Sequence, residues 1–250
     1  MDQLRLSPSR INDFTNCPQL YKYRAILNLP EEISLDAERG KLVHAVLEDL
    51  FELPRAERNH ESALSILPVA WEKQLTEKPE LTELITSQQE WMDRASSLLQ
   101  TYFGLEDPTS FDSTYRELHL EKNLTEQIYL HGYVDRLDVA PTGEVRIVDY
   151  KTGKAPKPGW EEKALFQLRV YALLYLKIYG VMPTLLQLFY LGDRGSIKSQ
   201  PSEKVLNQTA EQLLEVSAQI QESHAQDYWP AKPSRLCDWC NFKRNCPAFA

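Results

Sequence analysis

Two aspartates and a lysine lie in neighbouring segments that both alternate between apolar and polar residues. Asp135 belongs to Gly132-Tyr-Val-Asp-Arg-Leu-Asp138, and Asp149 and Lys151 end the segment Val145-Arg-Ile-Val-Asp-Tyr-Lys151. A period of two, with many β-branched and aromatic residues, predicts that each segment is a β-strand. The turn sequence Pro-Thr-Gly between them predicts that the two strands form a hairpin.

This hairpin would bring the two carboxylates together. Residues 135 and 149 are equidistant from Thr142, so their Cβ atoms would lie about 5 Å apart. Lys151 would share a face with Asp149, because side chains alternate along a strand. Adjacent buried carboxylates repel each other, and a divalent cation relieves that repulsion. A lysine beside the cation can position or deprotonate a water, so the pattern predicts a metal-dependent hydrolase that acts on phosphodiesters.

Composition and charge restrict the class of protein. A chain of 250 residues with 42% hydrophobic residues and five tryptophans is expected to be globular. The net charge of −8 argues against a protein that coats nucleic acid through bulk positive charge. The first residues have no apolar core of a signal peptide, and the longest apolar stretch, 171–182, is broken by Lys177 and Gly180. A cytoplasmic protein with no membrane contact is therefore expected.

The order of predicted elements indicates an α/β fold with the hairpin in a central mixed β-sheet flanked by helices. The polar and acidic stretch 54–112 has apolar residues at helical intervals, which predicts a helical insertion. The other predicted elements are a short helix from Ser7-Pro8 towards Cys17, a helix over 35–53, strands within 115–151, a helix over 163–179 that stops at Gly180, a strand over 184–191, and a helix over 202–224.

Four cysteines occur in a pattern that predicts a second metal site. Cys237, Cys240 and Cys246 form a C-x2-C-x5-C cluster among polar residues, whereas Cys17 stands alone. Three thiols so close together are typical of a metal-binding knuckle, with Cys17 as the only cysteine left for a fourth ligand. A lone cysteine is more often a small buried apolar residue. Spacing leaves both iron–sulfur and zinc open, and residues 229–250 would form a clasp that ties the chain ends together.

Several separated motifs appear in a familiar order: Gly40-Lys-Leu-Val-His44, Gly132-Tyr-Val-Asp135, Asp149-Tyr-Lys151, Gln167-Leu-Arg-Val-Tyr171 and the cysteine pattern. In this order they resemble the PD-(D/E)XK nuclease superfamily, in its RecB-like branch with an iron–sulfur cluster. That branch includes the AddB-type nuclease domain and the CRISPR-adaptation nucleases. The resemblance covers nearly the whole chain and implies one nuclease domain over 1–250 with a restriction-endonuclease-like core.

The resemblance also assigns roles at the nuclease site. His44, Asp135, Asp149 and the carbonyl of Tyr150 would hold Mg²⁺ or Mn²⁺, and Lys151 would orient or activate the attacking water. Gln167 and Tyr171 would join Asp135, Asp149 and Lys151 in the catalytic set. They lie four residues apart on one helix face and would face the hairpin or a DNA phosphate. Glu121 is a possible additional acid, and Glu117 has nearly the same claim. Asp138 is three residues after Asp135 on the same strand, so its side chain is expected to point to the opposite face. We therefore expect Asp138 to be structural.

For the cysteines, the resemblance favours one [4Fe–4S] cluster held by Cys17, Cys237, Cys240 and Cys246, with zinc as the alternative. Two functional classes follow. One is an active deoxyribonuclease, expected to be an exonuclease in DNA repair, recombination or processing. The other is a catalytically idle DNA-binding or scaffold module stabilised by the four-cysteine site. Because every catalytic position is filled, the sequence favours the enzyme.

The substrate is expected to be single-stranded DNA or DNA with single-stranded ends. The basic residues Lys151, Lys154 and Lys157 and the segment Tyr21-Lys-Tyr-Arg24 could grip phosphates, and tyrosines can stack on unpaired bases. Packing of the tyrosines at 21 and 23 against the N-terminal helix is the alternative. No Walker A motif is present, because Thr-Gly-Lys154 is followed by alanine, so any helicase would be a separate partner.

Overall fold

A six-stranded mixed sheet forms the centre of the computed structural model, which describes residues 3–249. The strands follow the order β1-β3-β4-β5-β6, with β2 paired to the other edge of β3. The β1–β3 and β4–β5 pairs are parallel, and the other pairs are antiparallel. The predicted α/β fold is therefore confirmed. The strands are β1 Leu4–Leu6, β2 Tyr115–Asn123, β3 Ile128–Val139, β4 Val145–Lys151, β5 Leu185–Tyr190 and β6 Gly195–Ser199.

Five of the helices begin at a residue whose side chain caps the first turn. Side chains of Ser7, Ser34, Asn59, Ser87 and Ser202 accept a hydrogen bond from a backbone N–H in the first turn of the following helix. The helices are α1 Pro8–Asn16, α2 Pro18–Tyr21, α3 Leu35–Leu50, α4 His60–Glu77, α5 Leu81–Leu84, α6 Gln88–Phe103, α7 Glu161–Tyr179 and α8 Glu203–Gln226, with short turns at Lys22–Ile26, Arg55–Glu57, Arg235–Trp239 and Lys243–Asn245.

Helices cover both faces of the sheet. Apolar residues of α1, α7 and α8 pack against one face. Residues of α3, α4 and α6 pack together against Val148, Tyr150 and Phe189 on the other face. The helices α4, α5 and α6 lie within the predicted insertion 54–112, so this insertion forms part of the second helical layer. No helix in the described part of the chain is long and apolar enough to cross a membrane.

Two strands, β1 and β4, pair with the same edge of β3, and a stretch of β3 between them is unpaired on that edge. Its residues 128–130 pair with β1, and its residues 136–139 pair with β4. Since β2 occupies the opposite edge, residues 131–135 have no strand partner on the first edge. In this stretch Tyr133 is exposed and His131 and Asp135 are half-buried, whereas Gly132 and Val134 are buried.

A buried arginine supports the hairpin beside this unpaired stretch. Arg136 is only 1% exposed, and its guanidinium pairs with Glu106 at 2.7 Å and Asp138 at 3.1 Å. It also donates a hydrogen bond of 2.5 Å to the hydroxyl of Tyr150. Asp138 thus points away from Asp135, as expected from the alternation of side chains along the strand. The network links the insertion, through Glu106, to both strands of the hairpin.

Gly132 allows a helix to approach β3 closely. A Cβ atom at this position would lie 2.5 Å from Cε1 of Tyr171 and 3.5 Å from Cδ of Pro8. Tyr171 is buried, and its hydroxyl accepts a hydrogen bond from Gln167, so its ring has little freedom to move away. A side chain at position 132 would therefore strain the contact between β3 and α7.

We expect Gly132→Ala to lower the free energy of unfolding by about 1–3 kcal/mol, because the added methyl group overpacks this contact. Urea denaturation followed by circular dichroism would measure the change. Gly153→Ala is the matched control, since a Cβ atom there meets nothing within 4 Å. Equal unfolding midpoints for Gly132→Ala and Gly153→Ala would contradict this account.

Candidate active site

The hairpin has the register that its turn predicts. Val139 pairs with Val145, and the ladder continues to the pair of Arg136 and Val148. One further step along this register leads to Asp135 and Asp149. There the strands separate, and Oδ2 of Asp135 accepts a hydrogen bond of 2.7 Å from the backbone N–H of Tyr150. The two acids therefore lie at the point where β3 and β4 diverge.

A first group of potential metal ligands surrounds Asp135. Single ligand atoms of His44, Glu117 and Asp135 all lie within 4.8 Å of one another. Nδ1 of His44 is 3.4 Å from Oδ2 of Asp135, and Nε2 of His44 is 2.9 Å from the carbonyl oxygen of Tyr150. His44 comes from α3, Glu117 from β2 and Asp135 from β3, so the group depends on packing between three elements.

Glu117 reaches this group through an unusual backbone conformation. Its φ angle is +45°, in the left-handed region that residues other than glycine rarely adopt. The ladder between β2 and β3 pairs Arg116 with Arg136 and Leu118 with Val134, but it omits Glu117 and Asp135. Such strain persists where the surrounding structure enforces it, and it is common at functional sites.

A second group lies on the α7 side of Asp135. Nζ of Lys151 is 2.7 Å from Oδ2 of Asp149 and 2.9 Å from Oε1 of Gln167. Nε2 of Gln167 donates to Oδ1 of Asp149 at 2.9 Å and to the hydroxyl of Tyr171 at 2.8 Å. Asp149 is 1% exposed. The structure thus brings Asp149, Lys151, Gln167 and Tyr171 into one hydrogen-bonded cluster beside the first group.

Burial and the proximity of like charges both disfavour the charged forms of the acids at this site. Burial and the nearby Asp135 carboxylate raise the pKa of Glu117 to about 7, and the same two causes raise the pKa of Asp149 to about 6. Burial disfavours the charged form of His44, but Asp135 and Asp149 outweigh it and raise the pKa of His44 to about 9. Burial also disfavours the charged form of Lys151, yet the Asp149 carboxylate raises the pKa of Lys151 above its ordinary value.

This donor set fits a divalent cation. Two carboxylates, an imidazole and a backbone carbonyl converge from His44, Glu117, Asp135 and Tyr150. Oxygen-rich ligands with an excess of negative charge suit Mg²⁺ or Mn²⁺. A cation at this position would favour the charged form of Glu117, whose pKa is raised first by burial and then by the Asp135 carboxylate.

Glu121 does not join this group. Its carboxylate accepts a hydrogen bond from the hydroxyl of Tyr129 and lies 3.7 Å from Nε2 of His119. Of the two glutamates that the sequence left open, Glu117 is the one near Asp135. The distinguishing signal is strand register. The pairs on either side place Glu117 opposite Asp135, although neither residue joins the β2–β3 ladder, whereas Glu121 pairs with His131.

Two clefts meet beside these groups. A cleft of about 920 Å³ is lined by His44, Glu117 and Asp135, and a second cleft of about 830 Å³ is lined by Gln167 and Tyr171. Lys151 and Tyr190 line both clefts. The second cleft also contains two features that sequence reasoning missed, the basic residue Lys163 and the 72% exposed indole of Trp160, together with the predicted Lys154.

The tyrosines of the segment 21–24 are not available for base stacking, so that prediction was wrong. Tyr21 is buried and stacks on Trp229, with ring centroids 5.8 Å apart. Tyr23 is also buried, and its hydroxyl donates to the carbonyl of Asn245 at 2.7 Å. Arg24 pairs with acidic residues of the chain itself. The segment instead packs the N-terminal helices against the C-terminal residues.

The four cysteines come together at this junction. Cys17, Cys237, Cys240 and Cys246 all line one small cavity of about 50 Å³. None of them forms a disulfide. The backbone N–H of Lys232 donates to Sγ of Cys17 at 3.4 Å, and that of Ser234 donates to Sγ of Cys237 at 3.3 Å. Such hydrogen bonds stabilise thiolates that bind metal.

We expect Glu117→Gln to weaken Mn²⁺ binding by at least about tenfold, since it removes one charged ligand from the group. Isothermal titration calorimetry would measure the dissociation constant. Glu121→Gln is the matched control on the same strand and should bind Mn²⁺ like the unmodified protein. The assignment would be wrong if Glu121→Gln caused the larger loss.

Comparisons with known proteins identify the family of this chain. Residues 5–247 match the family model of the PD-(D/E)XK nuclease superfamily. Gene 69 protein of Mycobacterium phage D29 is 27% identical, and the match covers 100% of both chains. Gene 69 protein of Mycobacterium phage L5 is 30% identical over 128 residues, which cover 49% of this chain and 41% of that protein. The chain thus matches less than half of the length of the L5 relative.

Among solved structures, a candidate exonuclease from Eubacterium rectale has a similar fold. The TM-score is 0.62 at 12% sequence identity, and the match covers 97% of this chain and 88% of that one. At this identity the similarity concerns the fold alone, and it agrees with the mixed sheet flanked by helices. The family match extends over almost the whole described chain and spans the positions of every motif named above. The chain therefore belongs to the PD-(D/E)XK superfamily of metal-dependent nucleases.

Proposed function

We propose that this protein is a Mg²⁺- or Mn²⁺-dependent deoxyribonuclease of the RecB-like branch, which acts as an exonuclease in DNA repair, recombination or processing. The observation that carries the proposal is the meeting of His44, Glu117 and Asp135 within 4.8 Å beside the Lys151 cluster. An idle DNA-binding module would not need this costly gathering of acids, and so the geometry favours an active enzyme.

The ligands of the cation come from both sides of the diverging strands. His44, Glu117, Asp135 and the Tyr150 carbonyl would hold it, and Asp149 would contribute from the α7 side. A bound Mg²⁺ or Mn²⁺ supplies Lewis-acid polarisation of the scissile phosphate and lowers the pKa of a bound water. The backbone of Tyr150 has two functions here, because its N–H fixes Asp135 and its carbonyl oxygen lies 2.9 Å from His44.

Lys151 is the residue that we assign to the attacking water and the phosphate. Its ammonium group is held by Asp149 and Gln167 where the two clefts meet. A fixed cation at this position can orient a water and stabilise charge on the phosphate oxygens. Gln167 and Tyr171 act through Lys151 and Asp149 as positioning residues, since their hydrogen bonds fix both side chains.

Single-stranded DNA, or a single-stranded end, is the substrate that the second cleft favours. Lys151, Lys154 and Lys163 line this cleft and can neutralise phosphates. The exposed ring of Trp160 offers a surface on which an unpaired base can stack. A duplex keeps its bases stacked internally and cannot use that surface. A helicase that supplies unwound ends would be a separate protein.

We expect Lys151→Ala to cleave DNA at least about 100-fold more slowly, because it removes a fixed charge that stabilises the transition state. End-labelled single-stranded DNA and blunt duplex DNA would be digested with Mg²⁺ or Mn²⁺ at one salt concentration. The unmodified protein should cut the single strand faster and release products from an end. Chelation of the metal should stop cleavage.

Lys73→Ala, at an exposed position on α4, is the control for loss of a lysine and should retain full activity. Circular dichroism should show that Lys151→Ala is folded. The assigned role of Lys151 fails if the folded variant digests DNA at the unmodified rate. Equal digestion of single strand and blunt duplex would refute the substrate preference and leave the nuclease assignment intact.

We infer that the four cysteines hold a [4Fe–4S] cluster. Their shared cavity and the N–H donors to Cys17 and Cys237 support a metal site. Zinc accepts the same four thiolates and is the alternative. Residues 229–250 would then be a clasp that fixes the C-terminal segment to the N-terminal helices, and a bound cluster would supply a covalent link between the chain ends. Such a link restricts the unfolded chain over more than two hundred residues.

We expect Cys240→Ser to lose the brown colour of an anaerobic preparation and to lower the melting temperature, because the link between the chain ends is broken. Metal analysis and visible absorption would measure the first effect, and calorimetry the second. Trp239→Ala, at the most exposed ring of the same knuckle, should keep the colour. If the unmodified protein is colourless and contains one zinc ion, the iron–sulfur cluster is refuted, but the link between the chain ends by a four-cysteine metal site is not.

A further inference from the structure

A row of rings extends along β2 and β3 away from the acidic group. His119 and Tyr133 face each other across the two strands, with ring centroids 4.5 Å apart and an interplanar angle of 16°. The ring of His131 lies 5.9 Å from that of His119, and the ring of Tyr129 lies 6.0 Å from that of His131. We call these four residues, His119, Tyr129, His131 and Tyr133, the ring track.

The ring track ends at the candidate active site. Side chains alternate along β3, so Tyr129, His131, Tyr133 and Asp135 share one side of the strand. Two residues of strand span about 7 Å along β3, and the ring centroids of Tyr129 and His131 are 6.0 Å apart. Tyr133 therefore lies one such step from Asp135, and His119 lies two residues from Glu117 on β2.

The surroundings of the ring track suit a single-stranded polyanion. Tyr133 is 53% exposed. Tyr133 and His131 line the same cleft as Lys151, Lys154 and Lys163. At the far end, the guanidinium of Arg5 lies 4.3 Å from the ring centroid of Tyr129. Exposed aromatic rings together with nearby cations are the arrangement that proteins use to bind unpaired bases and their phosphates.

The spacing of the rings discriminates between single and double strands. Bases in a duplex are stacked about 3.4 Å apart, roughly half of the step between successive rings on β3. The ring track therefore matches an extended strand whose bases are unstacked. One acid lies among the rings, Glu121, and the hydroxyl of Tyr129 satisfies its carboxylate.

We propose that the ring track is a subsite for the unpaired bases of the DNA strand on one side of the phosphate that is cut. Tyr133 stacks on the base nearest the metal group, with His119 supporting the ring from across the ladder, and His131 and Tyr129 contact the next bases. The inference rests on the proposed function for the identity of the cutting site. It adds the surface that would discriminate single-stranded DNA from duplex DNA.

The test measures binding without cleavage. Fluorescence anisotropy would give the affinity for a labelled oligothymidine in EDTA, for the unmodified protein and for Tyr133→Ala, His119→Ala and Tyr133→Phe. We expect Tyr133→Ala to bind about tenfold more weakly, since it loses one stacked base. His119→Ala should bind more weakly by a smaller factor, and Tyr133→Phe should retain the affinity because it keeps the ring.

Tyr179→Ala is the matched control. Tyr179 is 47% exposed and also packs on a second aromatic ring, that of Tyr175 at 4.6 Å. It is the last residue of α7, about 18 Å along the helix from Gln167. This variant should bind oligothymidine like the unmodified protein.

Two results would overturn the ring track. One is equal affinity of Tyr133→Ala, His119→Ala and Tyr179→Ala for oligothymidine. The other is self-association of the unmodified protein that Tyr133→Ala abolishes without any change in DNA affinity, because the surface would then be a protein interface. Cleavage assays with Mg²⁺ separate this inference from the proposed function. Binding that depends on the ring track, without any cleavage, would support the subsite and refute the proposed nuclease. Cleavage by a protein whose DNA affinity does not depend on the ring track would support the nuclease and refute the subsite.

Discussion

Mutual repulsion of carboxylates is the interaction around which this structure is organised. Glu117, Asp135 and Asp149 lie close together where β3 and β4 diverge, and burial together with the Asp135 carboxylate raises the pKa values of Glu117 and Asp149. His44 and Lys151 balance part of the negative charge from either side. A divalent cation would balance the rest, which explains why a chain would keep such a group.

The remainder of the fold holds these charged groups in place. Helices α4 and α6 pack on α3, which presents His44, and Glu106, after the end of α6, pairs with the buried Arg136. Arg136 in turn fixes the ring of Tyr150, whose backbone contacts both Asp135 and His44. On the opposite face, α7 presents Gln167 because Gly132 lets Tyr171 approach β3. Both helical layers therefore position one side of the same site.

Features set by local sequence could be predicted, and features set by distant contacts could not. The turn around Thr142 predicts the register that places Asp135 and Asp149 in line, and capping residues predict the start of α1 and the end of α7. By contrast, β1 has only three residues and is a strand because β3 offers an edge. The choice of Glu117 over Glu121 depends on pairing between β2 and β3 and on a left-handed backbone that no local pattern signals. The burial of Tyr21 likewise depends on Trp229, more than two hundred residues away.

The central claim is that this group of acids binds a divalent cation, and a crystal structure of the protein with Mn²⁺ tests it most directly. Anomalous scattering identifies manganese independently of the coordinates of the chain. The account predicts an anomalous peak coordinated by His44, Glu117 and Asp135, with the carbonyl oxygen of Tyr150 as a further ligand. A crystal saturated with Mn²⁺ that has no peak at this position, or has peaks only elsewhere on the surface, would contradict it.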